Sequence, residues 1–147
     1  MASVFVAEPP ARWASRPKLV VDASIVAARI FVETDGEQAE AQMRGRRLCA
    51  PALIDYEIVN VALSKVRGRG ISADDSARML ALYADLDIER FDVDLLSTLR
   101  IGESFALSAY DAAYLWVAGH LRAPVATFDR RFAAAAKSYL SQLGEKD

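Results

Sequence analysis

The sequence predicts an α/β fold, a parallel sheet layered between helices, and two observations carry that reading. Short strand-like apolar runs alternate with longer segments of helical periodicity, the order expected when parallel strands are joined by crossover helices. The chain of 147 residues, 53% hydrophobic and 26% charged, has the size and composition of one globular domain, with no repeat, low-complexity stretch or linker dividing it.

The elements follow in order. "KLVVD" (18–22) is the first strand, after which helical spacing runs over 23–32 and, past Gly36, over 37–44. "RLCAP" (47–51) is a second strand and "ALIDYEIVNVALSKV" (52–66) a third helix, ended by the "GRG" at 68–70. Ser72 opens the helix "ADDSARMLALYADL", "DIERF" (87–91) is a third strand, and "DVDLLSTLRIGESFAL" is a further helix, weakened by Gly102. The apolar helix "SAYDAAYLWVAGHL" (108–121), a fourth strand "APVATFD" (123–129) and the helix "RRFAAAAKSYLSQL" complete the chain. Residues 1–17, with a short apolar patch broken by Glu8 and two prolines, read as a flexible or loosely docked arm before a domain at 18–147.

Composition excludes several functions. A net charge of −2 gives no global basic signal for nucleic acid, so such contact must rest on local patches. The single cysteine, Cys49, rules out an intrachain disulfide or a cysteine zinc site and suits a reducing cytoplasm. No apolar run approaches the roughly 18 residues of a membrane span.

The acids are more informative. Asp22 ends the first strand and Asp129 the fourth. In an open parallel sheet, ligands collect beyond the carboxyl ends of the strands, where strand order reverses, so acids at two such ends can face one site. Each is equally a ready N-cap for the helix that follows. Glu57 has Leu53, Ile54, Asn60 and Val61 as helical neighbours, which places a carboxylate among apolar side chains at a cost in desolvation. A boundary position reaching water or an arginine is the alternative, and Asn60 would share the same polar notch. Asp111 lies three residues after Ser108, the spacing of a capping box, and suits the positive end of a helix dipole. If the fold gathers all four acids, their repulsion calls for a counter-charge, and a hard divalent cation such as Mg²⁺ or Mn²⁺ takes oxygen ligands of this kind. Phosphodiester hydrolysis is the chemistry such a site supports.

Taken in order, "VVDAS", "APALIDYEIVNVALSKV", "LSAYDAAYLWVAGHL" and "VATFDRRF" resemble the PIN domain, specifically the small ribonuclease toxins of bacterial VapBC-type toxin-antitoxin pairs, over about residues 18–137. The resemblance implies a three-layer α/β/α sandwich with a four- or five-stranded parallel sheet. It also implies a Mg²⁺- or Mn²⁺-supported endoribonuclease leaving 5′-phosphate and 3′-hydroxyl ends, a homodimer, and a cognate antitoxin as partner. Carried over residue by residue, Asp22, Glu57, Asp111 and Asp129 are the catalytic and metal-binding acids, with Ser24 and Thr127 as hydroxyls that orient carboxylates or water. The sequence departs from the family in its longer N-terminal arm and in "KSYLSQLGEKD", which lacks the apolar run of a final strand.

For RNA phosphates the candidates are Lys65, Arg67 and Arg69 in "KVRGRG", Arg44, Arg46 and Arg47 in "RGRR", and Arg130 and Arg131 directly after Asp129; solvated helix ends are the alternative for each. Tyr110, Tyr114 and Trp116 are candidates for base stacking, or for core or dimer contacts. His120, the only histidine, lies at the far end of its helix from Asp111, which argues against a histidine-assisted serine or cysteine hydrolase. A dehalogenase-type phosphatase expects a second aspartate where Ser24 stands, and a receiver domain expects an acidic pair and a late lysine that are absent. A catalytically silent PIN-like module that binds RNA or protein remains the alternative function.

Overall fold

A computed structural model describes residues 2–8 and 18–146. Among them are five strands, β1 (Phe5–Ala7), β2 (Lys18–Val21), β3 (Arg47–Pro51), β4 (Glu89–Phe91) and β5 (Val125–Thr127). The helices are α1 (Ala23–Ile30), α2 (Gly36–Met43), α3 (Ile54–Arg67), α4 (Ala73–Asp85), α5 (Leu95–Phe105), α6 (Ala109–Leu121) and α7 (Arg130–Glu145). The strand order is β1-β5-β2-β3-β4, with β5, β2, β3 and β4 mutually parallel. From β2 the chain proceeds outward through β3 to β4, then returns to lay β5 on the other side of β2. The reversal of strand order therefore falls between β2 and β5, where Asp22 and Asp129 emerge.

The fifth strand comes from the beginning of the chain. Phe5–Ala7 pairs antiparallel with β5, Phe5 opposite Thr127 and Ala7 opposite Val125. Ala7 is buried, and Val4 and Val6 pack against the core, so this part of the expected arm is docked as an edge strand. Residues 9–17 of that arm lie outside the described residues. The C-terminal stretch, which lacks a strand pattern, instead extends α7 to Glu145, burying Phe132, Ala136 and Leu140 at helical spacing.

The core is assembled as the periodicities require. Leu19, Val20 and Val21 of β2, Cys49 and Ala50 of β3, and Val125 and Ala126 of β5 are fully buried, as expected for short strands covered on both faces. Above them, α6 buries Ala112, Ala113, Tyr114, Leu115, Val117, Ala118 and Leu121, which explains why it reads as apolar nearly all round. Helix α5 begins at Leu95 rather than Asp92 because the Asp94 carboxylate caps it, accepting from Ser97 N at 2.8 Å. It runs through Gly102, where a Cβ would stand 3.3 Å from the Leu107 carbonyl and 3.8 Å from Ala112 Cβ. The missing side chain lets the α5–α6 turn close.

Candidate functional site

Two of the four acids are fixed by helix capping. The Asp22 carboxylate accepts from Ile25 N at 3.1 Å and opens α1; the Asp129 carboxylate accepts from Phe132 N at 3.1 Å and opens α7. Because β2 and β5 are adjacent parallel strands, with Val21 opposite Ala126, these two caps come out of the same end of the sheet side by side. The cap reading and the site reading are thus both satisfied by the same geometry.

Thr127 ties the two acids together. Fully buried at the end of β5, it donates its hydroxyl to Asp22 Oδ2 and accepts the Asp129 amide at 3.0 Å. Ser24, on the first turn of α1, donates to the other Asp22 oxygen at 2.6 Å. Both Asp22 oxygens are therefore oriented by hydroxyls, and the carboxylate is held rigidly at the strand tip.

Asp111 enters from α6. Ser108 caps that helix by accepting from Asp111 N at 3.1 Å. The Asp111 carboxylate faces the other acids across one cavity, and the Ser108 hydroxyl favours its charged form. Glu57 enters from the first turn of α3, half-buried as the helical spacing predicts. Its Oε1 accepts the hydroxyl of Tyr114 at 2.6 Å, and Tyr114 is itself only 1% exposed. Tyr114 lies one turn beyond Asp111 on α6, so one helix supplies an acid and the group that positions a second.

Asp22, Glu57, Asp111 and Asp129 line one cavity of about 380 Å³, together with Ala23, Ser24, Tyr114, Phe128 and Phe132. Among the described residues no cationic side chain lines it. The electrostatic consequence is direct: burial, together with the neighbouring Asp111, pushes the Asp22 carboxyl above its ordinary range against the pull of the Ser24 and Thr127 hydroxyls and the Ile25 amide. Glu57 is raised by burial and by Asp22 and Asp111 although Tyr114 favours its charged form, and Asp111 is raised by burial and by Asp129. The Tyr114 hydroxyl, buried against Glu57, is pushed far up and stays a donor. Among the described residues no three Asp, Glu, His or Cys side chains are already gathered tightly enough to hold an ion.

The basic candidates disperse. Arg131 is exposed on the first turn of α7, two residues after Asp129, while Arg130 stacks over the Phe5 ring of β1 with its guanidinium carbon 5.4 Å from the centroid. Lys65 is paired with Glu33 at 3.1 Å and sits over Phe31. Arg67 and Arg69 are exposed at the far end of α3, roughly 15 Å of helix rise from Glu57. The arginines of "RGRR" lie at the amino ends of the strands: Arg46 bonds the Lys18 carbonyl at 3.3 Å, and Arg44 and Arg47 pair with Glu40 and Glu89. They are turned away from the acids because β3 begins at Arg47 and the site lies beyond its other end. His120 stacks on Trp116 with ring centroids 4.7 Å apart, remote from any hydrolase arrangement.

Residues 19–138 match the PIN domain. Ribonuclease VapC3 of Pyrobaculum aerophilum is 30% identical over 121 residues, covering 79% of this chain and 92% of the relative. Ribonuclease VapC9 of Mycobacterium tuberculosis is 36% identical over 114 residues, covering 77% and 87%. The crystal structure of PAE2754 from Pyrobaculum aerophilum superposes with a TM-score of 0.65 at 22% identity, covering 87% of this chain and 90% of that one, and so shares the fold. With the domain match running across nearly the whole described sheet and site, the chain belongs to the PIN-domain family, among its VapC-type members.

Proposed function

We propose that this chain is a metal-dependent endoribonuclease, the toxin of a toxin-antitoxin pair. The observation that carries the reading is the convergence of four carboxylates, from four separate segments, on one cavity that no cation lines among the described residues. The names of the VapC ribonuclease relatives support RNA as the substrate. The donor set fits a hard divalent ion, Mg²⁺ or Mn²⁺: all oxygen, all anionic, with three of the four acids raised by burial and mutual repulsion. Asp22, Glu57, Asp111 and Asp129 would hold it, and once bound it would polarise the phosphate and lower the pKa of water. Ser24 and Thr127 fix the direction of Asp22. With Oε1 engaged by Tyr114, Glu57 keeps Oε2 as the atom that can take a proton from the water attacking phosphorus, while the bond to the 3′ oxygen breaks and that leaving oxygen takes its proton from solvent water. Arg131 is the basic candidate best placed to steady the phosphate chain; Lys65, Arg67, Arg69 and Arg130 would serve only more distant phosphates.

The partners follow from the same reading: RNA, a cognate antitoxin, and a second copy of the chain. Leu95, Leu96 and Leu99 expose an apolar patch on the first turns of α5, with Leu95 80% exposed, and such a patch supports dimerisation. No described helix is long and apolar enough to cross a membrane, and the cytoplasm is where such a toxin would meet its RNA. The test is cleavage of a panel of structured RNAs with and without Mg²⁺ or Mn²⁺, with light scattering for the dimer. RNA binding retained without cleavage would favour the silent module instead.

Tyr114→Phe probes the positioning of Glu57. Removing one hydroxyl from a buried ring should lower stability by about 1 kcal/mol and keep the fold. Cleavage should slow, and the acid limb of its pH profile should move to higher pH, because Glu57 loses the donor that favours its charged form. An unshifted profile would leave Tyr114 as core packing alone.

A further inference from the structure

Beside the acidic cavity lies a second one of about 410 Å³, lined by Leu53, Tyr56, Glu57 and Asn60 from α3 and its entrance and by Tyr110 from α6. We propose that it binds one unpaired nucleobase of the RNA, next to the bond being cut; the inference rests on the nuclease reading and deepens it.

Three features point to a base. Glu57 belongs to the walls of both cavities, so an occupant here lies adjacent to the reacting phosphate. Tyr56 and Tyr110 are 79% and 64% exposed, an unusual state for large rings, and they rise from different helices on either side of the opening. Of the three aromatic residues of α6 offered for stacking, Tyr110 alone is exposed; Tyr114 is core, and Trp116 is partly buried and stacked on His120. The lining also selects the kind of group. Among the described residues it contains no cation and one carboxylate, which repels phosphate, whereas two phenol rings and a leucine suit a flat neutral ring. The Asn60 amide offers both a donor and acceptors, as a base edge does. Aromatic platforms of this kind hold bases splayed from single strands and loops, because in a duplex each base face is already stacked on its neighbours. The rival occupant is a second copy of the chain, since Val59 and Leu63 continue the exposed face of α3. A wall made of a carboxylate, an amide and two phenols matches a base better, and α5 already offers an all-leucine patch for a copy.

The experiment uses the full chain carrying Asp22→Asn, so that RNA is not consumed, and a fluorescently labelled short single-stranded RNA of mixed sequence alongside the same sequence as a duplex. Adding Tyr56→Ala or Tyr110→Ala should weaken single-strand binding by about tenfold in anisotropy, as loss of one stacked base does, and leave duplex binding unchanged. Tyr56→Phe and Tyr110→Phe should retain the affinity, since the ring and not the hydroxyl carries stacking. In the otherwise unaltered protein the alanine changes should raise KM more than they lower kcat. Light scattering is run on every variant. Unchanged single-strand affinity in both alanine variants would overturn the proposal, as would a loss of affinity that tracks dissociation of an oligomer, which would assign the cavity to a second copy. Absence of cleavage by the unaltered protein would count against the nuclease reading, while the anisotropy series would still decide the base site.

Discussion

Asp22→Asn and Glu57→Gln should each reduce metal-dependent RNA cleavage by at least about 100-fold while leaving the fold intact. Asparagine caps a helix about as well as aspartate, so the bond to Ile25 N that opens α1 survives, and the Ser24 and Thr127 hydroxyls can rotate to suit an amide. What is lost is the charge and the anionic oxygen. Glutamine at position 57 likewise keeps an acceptor for Tyr114 but has no basic oxygen to receive a proton from water. Circular dichroism and gel-based cleavage with Mg²⁺ or Mn²⁺ separate the two effects. Asp111→Asn is the sharpest comparison, because the cap of α6 is made by Ser108 and not by the Asp111 carboxylate. A well-folded Asp111→Asn protein with full cleavage would remove that residue from the site, and wild-type activity in all three variants would dismantle the site altogether.

Most of this site was legible in the sequence because each acid obeys a local rule as well as a global one. Asp22 and Asp129 stand at strand ends where a cap is needed, and the chain order of the strands puts the two ends together. Glu57 showed itself through helical neighbours that leave a carboxylate nowhere inexpensive to go. Tyr114 reads from the sequence as a stacking or core aromatic, and its bond to Glu57 is not legible there, because the ring is a core residue and only the tip of the side chain reaches a glutamate 57 residues away in sequence. Its spacing of three from Asp111 was the available signal. The strand Phe5–Ala7 is three residues long and precedes two prolines, too short for alternation to declare itself, and what stabilises it is the exposed edge of β5. The basic clusters are ambiguous for a different reason: a run such as "RGRR" carries no mark of whether it precedes a strand at the amino end of the sheet or faces the site beyond the carboxyl end, and pairing with Glu40 and Glu89 is settled only in three dimensions.

The metal-free protein should lose stability as pH rises, and a divalent ion should restore it. In the unfolded chain the acids titrate near their ordinary values of roughly 4. In the folded chain Asp22, Glu57 and Asp111 titrate higher, so between those limits the native state holds protons that the unfolded state has released. Stability then falls with rising pH through that window, being greatest below the unfolded values and fully reduced above the raised ones. In the presence of a chelator, Tm should therefore decline across the mildly acidic range toward neutrality, and Asp22→Asn, by deleting one of the repelling charges while keeping the cap, should flatten the decline and raise Tm at neutral pH. An ion that binds only the folded form at 100 times its Kd adds about 2.7 kcal/mol, a rise of several degrees for a domain of this size. Wild-type protein should show that rise with Mg²⁺ or Mn²⁺ at neutral pH, and Asp22→Asn should lose most of it. The opposite pattern, a metal-free Tm that climbs with pH together with an Asp22→Asn protein less stable than wild type, would mean that the Ser24, Thr127 and Ile25 bonds outweigh burial and repulsion at Asp22, and that the four acids need no cation between them.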